Sequence, residues 1–377
     1  MDGGGDVTEA LVVSPQVKIT FVLPMYLDSP SGGFKVVYEY ASRLQERGHQ
    51  ISVVHPRNPE PQFELKESVK SIFWDFKLRL KHRPLIPWID IHRGVRLILA
   101  PDLREGFIPD GDAIFATAYQ TAFWVDKYGA GKGNKFYLIQ SYEDWNGPGE
   151  KVRASWNLPL HKIVISRWLL DTARDLGVAD GTDYIPIGLD FSQFRITLPI
   201  DQRSAPRVGM LAHPNEIKGA KDGIAALEMA RAELPDLQAV LFGSHPCSAE
   251  IPGWIKYVYR PSPELLPEIY NSCQVFLNPG WAEGWGLPAA EAMACGCALV
   301  STANGGVNEF ASDGESALLA SVKSPGELAR QLLCALRDEK LRHRIARNGA
   351  EQVRRFTWDY AVSSLEKLLI EKTGKGL

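Results

Sequence analysis

The sequence predicts an α/β protein of two doubly wound, Rossmann-like domains facing a central cleft. Three observations predict it: a strand–glycine loop–helix–strand unit near the start, a restart of the same pattern after residue 207, and a polar stretch between them. Lys18-Ile-Thr-Phe-Val-Leu23 is a short apolar run ending at Pro24, as a buried parallel strand would be. A loop with Ser31-Gly32-Gly33 follows, then Phe34 to Arg47 with Val37, Tyr40, Ala41 and Leu44 at helical spacing and Gly48 as the stop, then a strand at Ile51–Val54. Further strands are expected at Ala113–Ala116, Phe136–Ile139 and Ile163–Ile165, and Ile185 to Asp190 closes the half. Arg195 to Pro206 is polar and patternless, which marks a linker. The second half restarts at Val208–Leu211 and continues through a loop with Lys218-Gly219. Helix Asp222–Ala232, strand Leu237–Phe242, helix Pro263–Asn271 and strand Val275–Leu277 follow.

Composition narrows the functions. A chain of 377 residues with 45% hydrophobic content has enough apolar material for two cores. A net charge of -3 gives no reason to expect nucleic acid as a partner. The five cysteines, Cys247, Cys273, Cys295, Cys297 and Cys334, form no C-x-x-C pair and read as reduced structural thiols. Met1 to Ala10 lacks the pattern of a secretion signal and no stretch nears the ~18–20 apolar residues of a bilayer span, so a cytoplasmic protein is expected. Neither half carries G-x-G-x-x-G between strand and helix, which argues against a dinucleotide oxidoreductase.

The chemistry concentrates in Asn278 to Gly296. Leu287-Pro288 opens a helix, because a first-turn proline gives up only an amide without a partner, and Gly296 stops it. Gly284 and Gly286 let the preceding backbone approach a ligand, so amides around Trp285 to Ala289 and the positive helix end converge on one spot suited to a diphosphate. Glu283 and Glu291 bracket that spot, which suits acceptance of hydrogen bonds from sugar and ribose hydroxyls.

Glu283 and Glu291 within E-G-W-G-L-P-A-A-E-A-M-A-C-G resemble the signature of retaining GT-B glycosyltransferases, in particular glycosyltransferase family 4. The resemblance implies a GT-B fold with residues 1–195 binding the acceptor, residues 196–355 binding a nucleotide sugar, and a helix within 356–377 crossing back to the first domain. Glu283 would lie by the transferred sugar and Glu291 on the ribose, with Gly284, Trp285, Gly286 and Leu287 giving sugar and phosphate contacts. Gly32 and Gly33 match the family's glycine loop, Val300 to Glu309 its strand and diglycine segment, and Phe356-Thr-Trp358 its return crossing. The reaction implied is retaining transfer of a sugar from a nucleotide diphosphate to a glycan, lipid-linked or small-molecule acceptor, without a metal or other cofactor. A non-catalytic sugar-nucleotide binder is the alternative.

Two places depart from the family pattern. The usual arginine–lysine pair at the start of the second domain appears as His213 and Lys218, which leaves His213 protonated beside the diphosphate, or another cation such as Lys221, to make up the charge, or His213 as a loop histidine that caps a turn. The first domain has Leu138-Ile-Gln-Ser-Tyr-Glu-Asp-Trp145 where relatives carry a histidine near the sugar's C6 hydroxyl. That string resembles bacterial rhamnosyltransferases of the S-layer glycan type and puts Tyr142 and Glu143 on the sugar or acceptor side, with a packed loop edge as the equal alternative. Asp110-Gly111-Asp112 reads as a turn and not as a metal site. Residues 66–104 carry nine lysines and arginines against four acids, interleaved with aromatics such as Trp74 and Trp88. They read mainly as solvated helices lining the acceptor side, with peripheral membrane contact as the alternative.

Overall fold

The structure is a computed structural model that describes residues 15–58, 85–144, 147–246 and 251–375. The first domain holds a seven-stranded sheet: β1 (Lys18–Val22), β2 (Gln50–Pro56), β3 (Arg96–Ala100), β4 (Ala113–Ala116), β5 (Asn134–Ile139), β6 (His161–Val164) and β7 (Thr182–Tyr184), in the order β3-β2-β1-β4-β5-β6-β7. The second holds β8 (Arg207–Leu211), β9 (Gln238–Gly243), β10 (Ile255–Tyr259), β11 (Val275–Asn278), β12 (Ala298–Thr302) and β13 (Ala317–Ala320), in the order β10-β9-β8-β11-β12-β13. All the pairings are parallel. Such sheets are covered on both faces, which is why β1, β4 and β12 are near-continuous apolar runs.

Helices α1 (Gly32–Glu46), α2 (Tyr119–Lys127), α3 (Gly149–Trp156) and α4 (Arg167–Asp175) clothe the first sheet. The second carries α5 (Ala220–Glu233), α6 (Leu265–Asn271), α7 (Leu287–Ala294), α8 (Pro325–Arg337) and α9 (Glu339–Val353). Strands β3, β7, β10 and β13 add to those read from sequence, and they are the four edges of the two sheets. Edge strands face fewer neighbours, so β7 (Thr-Asp-Tyr) and the half-exposed β10 need no apolar run.

The last helix, α10 (Trp358–Thr373), lies on the first domain. The Leu189 amide donates to the Phe356 carbonyl at 2.9 Å, Arg47 pairs with Asp359 and Glu366 at 2.7 Å each, and the Trp358 ring meets Tyr40 edge-on. One core cluster runs from the first sheet into the second domain through Trp285, Phe310 and Phe356, and a separate one fills the far face of the second sheet. The stretch read as a patternless linker is anchored. Arg203 is buried and donates to the carbonyls of Leu198, Cys273, Cys295 and Gly296 at 2.6–3.0 Å. Cys273, Cys295 and Cys297 are buried free thiols, Cys334 is an exposed one, and Cys247 lies outside the described residues. Among the described residues no helix is long and apolar enough to cross a membrane.

Candidate active site

Strand order reverses between β1 and β4 in one sheet and between β8 and β11 in the other. Open parallel sheets bind ligands outside the carboxyl ends of strands at such switch points. Here the loops after β1, β4, β8 and β11 open onto one cleft of about 1850 Å³ walled by both domains. Among the residues singled out by sequence, Gly32, Gly33, Glu143, His213, Lys218, Glu283, Gly284, Trp285, Gly286, Leu287 and Glu291 line it.

On the second domain's wall, Gly286 caps α7 in the left-handed region (φ 99°), where a side chain would be strained. Gly284 is forced by proximity: a Cβ there would sit 1.7 Å from the Gln140 carbonyl oxygen of the first domain. Gly284, Trp285, Gly286 and Leu287 all line the cleft, and their amides have no acceptor among the described residues. The Ala289 amide, counted with them from sequence, is instead spent on the Gly286 carbonyl at 3.1 Å. Trp285 contributes backbone only, since its indole is buried against Phe310 and Phe356.

Lys218 donates to Glu283 at 2.7 Å, so cation and acid enter the cleft as one pair. The diglycine segment braces this loop, because the Glu283 amide donates to the Asn304 carbonyl at 3.1 Å. Glu291, buried in α7, is held at both oxygens. Lys35 of α1 reaches across from the first domain to Oε1 at 2.7 Å, and the Tyr270 hydroxyl donates to Oε2 at 3.1 Å. Sequence gave no reason to single out Lys35; its partner lies 256 residues away.

His213 lines the cleft and caps its own turn, with Nδ1 accepting the Asn215 amide at 3.1 Å. Burial first, then the charge on Lys218, push its pKa down to about 4. Lys221 is exposed and does not line the cleft. Gly33 packs on Gln140, whose amide donates to the Gly33 carbonyl at 3.1 Å. Glu143 lines the cleft, accepts the Tyr119 amide at the start of α2 at 2.7 Å, and is pushed by burial to a pKa of about 7. Tyr142 is not part of the cleft wall; its ring leans on Trp156. Trp145 lies outside the described residues.

Asp110 and Asp112 are spent on Lys132 and Lys375 at 2.7 and 2.6 Å. Of the basic segment 66–104, residues 66–84 lie outside the described ones. Of the rest, Arg104 pairs with Asp102, and Trp88 turns inward onto Tyr38, with the indole donating to the Leu27 carbonyl. Two further contacts join the domains across the cleft. The Trp168 indole donates to the Gly284 carbonyl at 3.0 Å, and buried Glu309 accepts the Arg167 amide at 2.7 Å, the Arg167 guanidinium at 3.0 Å and the Tyr184 hydroxyl.

Residues 204–352 match the family model described as glycosyl transferases group 1. A phosphatidyl-myo-inositol mannosyltransferase of Mycolicibacterium smegmatis is 22% identical over 96% of this chain and 95% of its own length. An uncharacterised glycosyltransferase of Methanocaldococcus jannaschii is 31% identical over 31% of this chain, and the match spans only 33% of that relative. Among solved structures, HepE of Anabaena in complex with UDP and glucose superposes with TM-score 0.73 at 17% identity, covering 94% of this chain and 100% of that one. Sucrose-phosphate synthase of Thermosynechococcus elongatus does so with TM-score 0.69 at 17% identity, over 94% and 98%. These structural likenesses show the GT-B fold, and the family match lies within the second domain.

Proposed function

We propose that this protein transfers a sugar, with retention, from a nucleoside-diphosphate donor bound against the second domain to a glycan, lipid-linked or small-molecule acceptor presented by the first. The observation that carries the reading is that four unspent amides, the start of α7 and Lys218 share the cleft wall with Glu283 and Glu291. Backbone donors and a positive helix end favour a diphosphate. A lysine ~4 Å from a phosphate oxygen adds ~4 kcal/mol at an effective dielectric of ~20. The ribose hydroxyls then take the lone pairs of Glu291 that Lys35 and Tyr270 leave open.

As the C1–O bond breaks, negative charge gathers on the diphosphate, where these donors are already aimed. Their advantage therefore grows toward the transition state. This assigns charge neutralisation to lysine and amides, with no step given to a metal; turnover unchanged by EDTA would agree with that assignment. Glu283 orients the sugar. The acceptor attacks on the face that the leaving nucleotide occupies, and the departing phosphate takes its proton. HepE, with a comparable fold, was solved with UDP and with UDP-glucose, which supports a donor of this class. The string Gln140–Glu143 in place of a histidine makes 6-deoxy donors such as dTDP-rhamnose worth testing beside UDP-glucose and GDP-mannose.

His213 in place of the arginine that the family resemblance leads one to expect favours one rival, a relative that binds sugar nucleotides without turning them over. Incubation with radiolabelled donors separates the two, since slow release of free sugar is expected of a transferase and none of a binder. Glu291→Ala should weaken nucleotide binding about 10- to 100-fold, the cost of one hydrogen-bonded charged group. Unchanged affinity in both Glu291→Ala and Lys218→Ala would overturn the donor site.

A further inference from the structure

On the donor reading, the second domain offers the diphosphate one lysine, Lys218, and that lysine is already paired with Glu283. A dianionic diphosphate facing a single paired lysine leaves charge for a further cation to neutralise.

Lys35 belongs to the first turns of α1, immediately after Gly32 and Gly33, and a Cβ added at Gly32 would lie 3.8 Å from Leu287 Cδ1 at the start of α7. The amino-terminal ends of two helices from different domains therefore meet across the cleft, and Lys35 extends from one of them. Its ammonium spends one N–H on Glu291 at 2.7 Å and lies 4.9 Å from the centre of the Phe194 ring. Its remaining two N–H groups have no acceptor among the described residues. The side chain is 23% exposed and lines the cleft, so a ligand can reach it. Burial alone would lower its pKa, but Glu291, with Glu39 and Asp190 nearby, raises it, so it stays charged.

We infer that Lys35 donates to the diphosphate of the bound donor while it remains on Glu291, supplying a second cation from the first domain. This rests on the donor reading above. One chain of contacts, Tyr270–Glu291–Lys35, would then join ribose recognition to phosphate recognition. The full positive charge would also be present only when both domains close on the donor.

The test compares a nucleoside diphosphate with its nucleoside. Whichever of UDP, dTDP, GDP and ADP raises the wild-type melting temperature most is titrated calorimetrically, beside the matching monophosphate and nucleoside, into wild type, Lys35→Met and Lys35→Arg. A charged hydrogen bond to phosphate predicts a loss of about 10- to 100-fold for the diphosphate in Lys35→Met, with nucleoside affinity kept within about twofold or improved. Lys35→Arg should recover most of the loss. Equal losses for nucleoside and diphosphate would show that Lys35 only holds Glu291, and no loss for the diphosphate would remove it from the site; either result overturns the inference. Melting curves of both variants without ligand exclude misfolding, and Lys35→Arg keeps the test valid if Lys35→Met does not fold. If wild type binds none of the four diphosphates, or Glu291→Ala and Lys218→Ala both bind as wild type does, the donor reading itself fails instead.

Discussion

The cleft holds two lysine–glutamate pairs of the same length, 2.7 Å, but of different construction. Lys218–Glu283 is made within the second domain, between the loop after β8 and the loop after β11. It exists whatever the first domain does. Lys35–Glu291 is made between domains and exists only while α1 faces α7. On the donor reading proposed above, the first pair would be a fixed part of the site and the second would form only when the domains meet. A nucleotide could then be held on one domain while full charge compensation waits for the other.

Three variants sharpen or break this comparison. The largest effect is expected from Lys218→Ala, which removes the fixed cation. By analogy with single donors that stabilise developing charge, kcat/KM should fall about 10²- to 10³-fold, while affinity for a nucleoside without phosphates stays near wild type. A fall in nucleoside affinity of the same size would show that Lys218 organises the loop and does not face the diphosphate.

Next is Gly284→Ala. A methyl group placed 1.7 Å from the Gln140 carbonyl oxygen has to push the domains apart, at a cost of about 1–3 kcal/mol as in other overpacked sites. Thermal melting should show the loss. Diphosphate affinity should drop toward the Lys35→Met level, since the interdomain pair opens and the intradomain one survives. Wild-type melting and activity would mean the domains rest further apart than 1.7 Å implies.

The smallest effect is a pH dependence from the first domain alone. Burial holds the Glu143 proton to about pH 7, against an ordinary value of 4.5 that applies once the chain unfolds. Between those values the folded protein keeps a proton that the unfolded chain has released. Stability from this group is therefore fully present at low pH and is lost as pH rises toward about 7. Glu143→Gln removes that loss, so its melting temperature should fall less than wild type between pH 5 and pH 8. Parallel curves would contradict the raised pKa.

Much of the site was legible in sequence because local chemistry wrote it there. The proline after Gly286, the stop at Gly296 and the glutamates at 283 and 291 require a loop opening into a helix at that point, and α7 runs Leu287–Ala294. The central strands were legible for a related reason: burial on both faces leaves unbroken apolar runs. The four edge strands were not, since an edge tolerates polar residues. Lys35 and Arg203 were illegible because nothing beside them in the chain announces their partners; their roles arise from contacts 256 and 70 residues away. Tyr142 was open to two readings in sequence, and its ring leans on Trp156 while its neighbour Glu143 lines the cleft.

A crystal structure of the protein with bound nucleoside diphosphate tests the central claim most directly. The account predicts ribose hydroxyls on Glu291 and the diphosphate against the amides of Gly284 to Leu287 and the Lys218 ammonium. A nucleotide seated elsewhere, with those amides and Lys218 untouched, would contradict it.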